Sequence, residues 1–185
     1  MRIRRAMQIT VGVVVIVVAV MVLSWYAPGC AKSPAAEITF TIALDTDNKV
    51  GPAYNIRFVP ATLLIDENGI IRGIWPGAFR SKEHVLEWLD EVTASEATSA
   101  LPGVAPETGH MAPDFTLATV GGQPVTLSDL RDQWVLLNFW TLGCRYCVMQ
   151  MPYLQAAFEE KAGGIEFIGI NLGESEEKVR EFLGR

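Results

Sequence analysis

Cys144 and Cys147 form a C-x-x-C pair, and the 185 residues hold only one further cysteine, Cys30. Thiols at positions i and i+3 of a first helical turn stand on one face about 5 to 6 Å apart, close enough to open and close a disulfide with little backbone movement. Two other uses of the pair fit less well. A loop with two intervening residues restrains the unfolded chain little, so a structural staple is poorly served. A zinc site needs about two more ligands, and the only histidines, His84 and His110, form no ligand pair. Cys144, at the positive end of a helix dipole and beside Arg145, is expected to be the attacking thiolate. Cys147, one turn deeper, is expected to resolve the mixed disulfide. This chemistry requires no cofactor and no metal.

The elements around the pair read as α/β. Trp134 to Trp140 is an apolar run broken only by Asn138, the pattern of a central strand buried on both faces. Cys144 to Lys161 reads as a helix kinked by Pro152, Ile165 to Asn171 as a second buried strand, and Glu174 to Leu183 as a helix with an acid-rich first turn. Strand, helix, strand, helix predicts a parallel core. Ahead of it, Pro113 to Leu117 is extended, Gly121-Gly122 is a turn and Ser128 a local cap. In the first half, Ile38 to Leu44 is a strand and Lys49 to Asn55 a helical turn. Ala61 to Asp66 and Ile70 to Trp75 form a hairpin about Asn68-Gly69. Ser81 caps a helix in which His84, Val85, Trp88, Leu89 and Val92 recur at helical spacing. Thr93 to Ala112 lacks periodicity and reads as a linker. Trp88, Phe139, Trp140 and Phe158 lie at core spacing.

Residues 6–31 carry no charged side chain, and Arg2, Arg4 and Arg5 precede them without an acid. A run of this length can span roughly 30 Å of hydrocarbon, and the basic flank keeps the N-terminus in the cytoplasm. The expectation is a membrane anchor over 1–31, with everything after it outside the cytoplasm. Alternatively, Ala27-Pro28-Gly29-Cys30 resembles a bacterial lipoprotein signal that would lipidate Cys30. Without 1–31 the chain keeps 12 basic and 21 acidic side chains, an acidic domain with no electrostatic footprint for nucleic acid.

The string Asn138-Phe139-Trp140-Thr141-Leu142-Gly143-Cys144-Arg145-Tyr146-Cys147, followed by Met151-Pro152, resembles the active-site strand and helix of thioredoxin-fold proteins. It is most similar to the membrane-anchored TlpA/ResA-like thiol-disulfide oxidoreductases. Ala112 to Leu117 and Leu127 to Leu130 look like that family's N-terminal entry segment, and Val59 to Gly69 like its cis-proline loop and hairpin. The order is inverted, since the proline loop lies about 80 residues upstream of the cysteines. The resemblance therefore implies a circularly permuted thioredoxin-like fold, a central mixed sheet flanked by helices. After a short linker at 32–37, residues 38–95 supply the family's C-terminal half, 96–112 a linker and 113–185 its N-terminal half. A linker of about 18 residues reaches roughly 55 to 60 Å, more than the width of a small domain. The rival arrangement is a dimer that exchanges halves.

The resemblance further implies a cis Pro60 facing the sulfurs, with the Val59 backbone free to pair with an extended substrate. Gln150 stands where the ResA-like branch often has a glutamate, and Asn138 where thioredoxins have a buried aspartate. Proton transfer at Cys147 is then left to water or the substrate thiol. Gly143 replaces a common tryptophan and opens the surface, with Tyr146 and Arg145 as further neighbours of the pair. The implied function is reduction or exchange of disulfides in exported proteins, as in cytochrome c maturation, with electrons from a membrane-embedded thiol carrier. Two other functions stay open. One is a copper or haem-delivery chaperone using both cysteines and His84. The other is a thiol peroxidase, suggested by Thr141 three residues before Cys144 although Leu137 stands where that family has a proline.

Overall fold

The computed structural model describes residues 38–95, 103–161 and 163–184. The expected anchor, Cys30 and residues 96–102 lie outside them. Among the described residues no helix is long and apolar enough to cross a membrane.

The elements in chain order are β1 (Thr41–Asp45), α1 (Val50–Ala53), β2 (Ala61–Ile65), β3 (Ile71–Pro76) and α2 (Lys82–Ala94). After the joining segment come β4 (Thr116–Thr119), β5 (Pro124–Thr126), a 3-10 turn (Leu127–Leu130), β6 (Trp134–Trp140), α3 (Arg145–Glu160), β7 (Ile165–Leu172) and α4 (Glu176–Leu183). The strands make one mixed sheet in the order β3-β2-β6-β7-β1-β4-β5. Strand β6 lies inside it, as an apolar run broken only by Asn138 requires, with β7 parallel on one side and β2 antiparallel on the other. Both halves of the chain therefore contribute to a single sheet, and they pair three times, β2 with β6, β1 with β7 and β1 with β4.

Alternation along the strands divides the core in two. Leu136 and Trp140 of β6, Leu64 and Phe167 pack with Val85, Trp88 and Leu89 of α2, Met151 and Leu154 of α3, and Val179 and Leu183 of α4. Leu137 and Phe139, with Leu63, Ile168 and Ile170, face Val50, Tyr54, Phe115 and Leu127 on the opposite side. Asn138 falls on the helix-covered face, where a polar side chain must find partners or destabilise the fold.

Several boundaries differ from expectation, for local reasons. Ile38 and Phe40 are buried but precede the strand, and the Thr39 N–H donates to the Gln155 side chain instead of to a neighbouring strand. Cys144 is the N-cap of α3 and not its first residue, and the helix continues through Pro152. Helix α4 begins at Glu176 because Ser175 occupies its N-cap. Ser128 is no cap: its N–H donates to the Asp114 carboxylate, and it lies inside the 3-10 turn. The second part of the expected linker is also ordered. Ile71 N–H donates to His110 O, Gly109 N–H to Ile71 O and Ala112 N–H to Gly69 O, which fastens residues 103–112 to the hairpin. Ser81 caps α2 as expected, its Oγ accepting the His84 N–H.

Candidate active site

Strand β6 delivers the chain to the start of α3, and the cysteines occupy that junction. Cys144 and Cys147 form a disulfide with Cα atoms 5.2 Å apart. The N-cap geometry sets their arrangement: the Cys147 N–H donates to Cys144 Sγ at 3.1 Å, and the Cys144 N–H to Thr141 O. Cys147 is fully buried in the helix-covered core, whereas Cys144 is half-buried and faces outward. Gly143 is exposed, with open space where a Cβ would stand. Arg145 and Tyr146 project beside it into solvent.

Across from the sulfurs lies the loop entering β2. The Val59–Pro60 peptide bond is cis, and the Val59 carbonyl oxygen is 3.6 Å from Cys144 Sγ. Pairing of β2 with β6 fixes this approach, because Ala61 sits opposite Phe139 and Thr62 opposite Asn138. The Gly77 N–H donates to Pro60 O, which ties the end of the hairpin to the same loop.

Behind the disulfide runs a buried chain of neutral dipoles. The Phe79 N–H donates to Gln150 Oε1, Gln150 Nε2 to Asn138 Oδ1 at 3.3 Å, and Asn138 Nδ2 to Thr62 Oγ1 at 2.8 Å. Gln150, Asn138 and Thr62 are essentially inaccessible to water. Each amide thus uses a donor and an acceptor, and no member of the chain carries a proton that titrates near neutrality. Patterning alone marks Gln150 and Asn138 as polar substitutions near the cysteines. Their mutual bond needs α3 packed on β6, and the partnership with Phe79 and Thr62 emerges only when the two halves meet.

Glu174 is a site residue that patterning missed. Its carboxylate accepts the Leu142 N–H, at 2.9 Å from Oε2, and the Asn171 side-chain amide. The loop leading into Cys144 is therefore held from the turn between β7 and α4. Spacing gives no signal for this contact across 32 positions, and the acid reads simply as a helix-start residue. His84 belongs elsewhere. Its ring meets Trp75 at 4.8 Å and Phe79 at 5.4 Å, and its Nδ1 accepts the Arg80 N–H. Among the described residues no three of His, Cys, Asp and Glu cluster as a metal site requires.

Comparison with known proteins follows the second half of the chain. Residues 108–185 match the AhpC/TSA family. The thiol-disulfide oxidoreductase ResA of Bacillus subtilis (strain 168) is 37% identical over 76 residues, covering 40% of this chain and 42% of that protein. ResA of Geobacillus kaustophilus is 38% identical over 78 residues, 42% of this chain and 45% of its own length. The thioredoxin-like protein YneN of B. subtilis is 36% identical over 77 residues, 40% and 45% respectively. The matches thus span less than half of each of these relatives.

Proposed function

We propose that this chain is a thiol-disulfide oxidoreductase with a circularly permuted thioredoxin-like fold, tethered to a membrane through residues 1–31 and acting on protein cysteines outside the cytoplasm. One observation carries the reading: a surface sulfur at a helix N-cap lies 3.6 Å from the backbone oxygen that precedes a cis-proline. In the reduced protein the Cys144 thiolate attacks a substrate disulfide. A Cys144–substrate bond forms, and the other substrate sulfur leaves as a thiolate that takes up a proton. The Cys147 thiol then loses its proton and attacks Cys144 Sγ, which expels the second substrate thiolate and closes the Cys144–Cys147 bond. Two electrons and two protons have passed to the substrate, and an external dithiol returns them.

The Cys147 N–H and the positive helix end favour negative charge on Cys144. The buried sulfur has only neutral amide dipoles behind it, so its proton must leave through the interface with the substrate. ResA homology over the second half supports the exchange chemistry, and the interleaved sheet supports assigning the first half to the same domain. A physiological role in keeping exported thiols, including those of apocytochromes, reduced by way of a membrane-embedded thiol donor belongs to the same proposal.

The test is insulin disulfide reduction by the full-length chain in detergent. Cys144→Ser is expected to lose all turnover, and undiminished turnover overturns the reading. Equilibration with a glutathione couple fixes the direction: a potential near that of thioredoxin, about -270 mV, marks a reductase, and one near about -120 mV an oxidant. Sedimentation mass distinguishes a monomeric permutant from an exchanged dimer.

A further inference from the structure

Two cavities of about 520 Å³ each meet at the site and share Val59, Pro60 and Gly77. One extends toward the hairpin and is walled by Phe58, Ile74 and Pro106; the other extends toward α3 and is walled by Phe79, Tyr146 and Met149. Five large apolar side chains are exposed among the described residues: Phe58 at 84%, Ile74 at 40%, Val104 at 65%, Tyr146 at 65% and Met149 at 50%. All but Val104 line one of these two cavities, and Val104 is two residues from Pro106. Exposed apolar surface gathered in this way around a reactive sulfur marks a surface that a partner covers.

Charge at the same place runs against the chain as a whole. The net charge is -6, yet among the described residues the only charged one lining the first cavity is Arg57 and the only one lining the second is Arg80. Arg145 adjoins Cys144. Among the described residues none of the three has a carboxylate partner, and the Arg57 guanidinium reaches only the Asn55 side chain. Away from the site, Lys49, Arg72, Lys82, Lys161 and Arg180 are in ion pairs, whereas Arg131 reaches only the Met111 sulfur and Lys178 is in no ion pair among the described residues. A carboxylate approaching the disulfide would otherwise meet an acidic protein, so a local frame of unpaired guanidinium groups changes which partner can dock.

We propose that Arg57, Arg80 and Arg145 frame an apolar peptide groove centred on Val59 and Pro60, and that the preferred substrate is an extended polypeptide segment with apolar residues flanking its cysteine and acidic residues beyond them. This rests on the oxidoreductase reading and adds its substrate chemistry. An extended segment pairing with the Val59 backbone would present its side chains to the cavities on either side. Pro106 comes from the segment joining the two halves, so the order of the halves itself supplies part of the wall.

The experiment uses the reduced full-length chain in detergent and three heptapeptides whose central cysteine is joined to thionitrobenzoate. The first has Phe and Leu beside the cysteine and two aspartates at each end, the second has lysines in place of the aspartates, and the third keeps the aspartates but has serines beside the cysteine. Release of thionitrobenzoate gives the second-order rate constants. The first peptide is expected to react at least about tenfold faster than either other at low salt, and its lead over the lysine peptide is expected to collapse near about 0.5 M salt, where screening is strong. In the Arg57→Glu, Arg80→Glu double variant the ratio of acidic to basic peptide is expected to invert. That ratio is insensitive to a general loss of active protein. Equal rates for all three peptides with the wild-type chain overturn the substrate inference and leave the redox chemistry standing. No release from any peptide overturns the redox reading itself.

Discussion

Two of the three seams along which the halves of the chain meet, one antiparallel and one parallel, differ in what lies at their ends. Where β2 runs beside β6, the seam ends in Pro60 facing Cys144, and the polar groups packed behind it are amides and a hydroxyl. Where β1 runs beside β7, the seam ends in Asp45, a buried carboxylate that accepts N–H groups from Lys49, Val50 and Gly51. At that second seam the one buried charge is consumed by backbone donors, and its work is to turn the chain into α1. At the first seam the reactive atom is left with an open side, and the surrounding dipoles are neutral. The same sheet thus puts a structural carboxylate at one junction and a disulfide at the other.

Substitutions can break this contrast in order of effect. Cys144→Ser is expected to abolish disulfide reduction while leaving the unfolding free energy within about 0.5 kcal/mol of that of the wild-type disulfide-reduced protein, as measured by urea unfolding. Asp45→Ala should do the reverse. Three N–H groups lose their acceptor, so stability is expected to fall by about 3 kcal/mol, with turnover per folded molecule unchanged. Gln150→Ala strands the Phe79 N–H and one side of Asn138, and a loss of about 2 kcal/mol is expected at the redox seam. A loss there of under about 0.5 kcal/mol would show that the amide chain contributes nothing.

Tyr54 gives the smallest effect and a signature in pH. Its hydroxyl donates to Pro113 O at 2.6 Å and its ring meets Phe115 and Phe139, so a residue of the first half is pinned inside the second. Burial, and then the Asp114 carboxylate, hold the phenol well above its ordinary value, with Arg131 opposing them. A raised value means that the contribution to stability is complete below about pH 10, where the unfolded phenol titrates, and is lost as pH climbs toward the folded value. Tyr54→Phe should cost about 1 kcal/mol at neutral pH and flatten the alkaline decline seen in unfolding curves. An unaltered alkaline slope would contradict this assignment.

Much of the architecture was legible where side-chain type decides it. An apolar run marks β6 because that strand is covered on both faces, and Ser81 announces α2 because a hydroxyl at an N-cap satisfies a free N–H. What escaped was whatever depends on backbone or on distant partners. Residues 103–112 dock through the Gly109 and Ala112 N–H groups and the His110 carbonyl, backbone groups that any residue but proline possesses, so no pattern records it. Glu174 contacts a loop far away in sequence, and its neighbours Glu176 and Glu177 disguise it as dipole complement. At the site, the resemblance proposed Val59, Pro60, Cys144 and Cys147 as partners before any contact between them was visible. In the sequence Gln150 reads as the loss of an acid, and its bonds to Phe79 and Asn138 depend on α3 lying against β6 and the loop that follows β3.

The central claim is that Cys144 is the sulfur that meets the substrate at the Val59–Pro60 loop, with Cys147 resolving from behind. Trapping tests this most directly: the reduced Cys147→Ser chain is mixed with a disulfide-bonded protein, and the product is mapped by mass spectrometry. A stable mixed disulfide on Cys144 that does not turn over is the predicted result. Continued turnover, or a Cys144→Ser chain that traps through Cys147 instead, would contradict it.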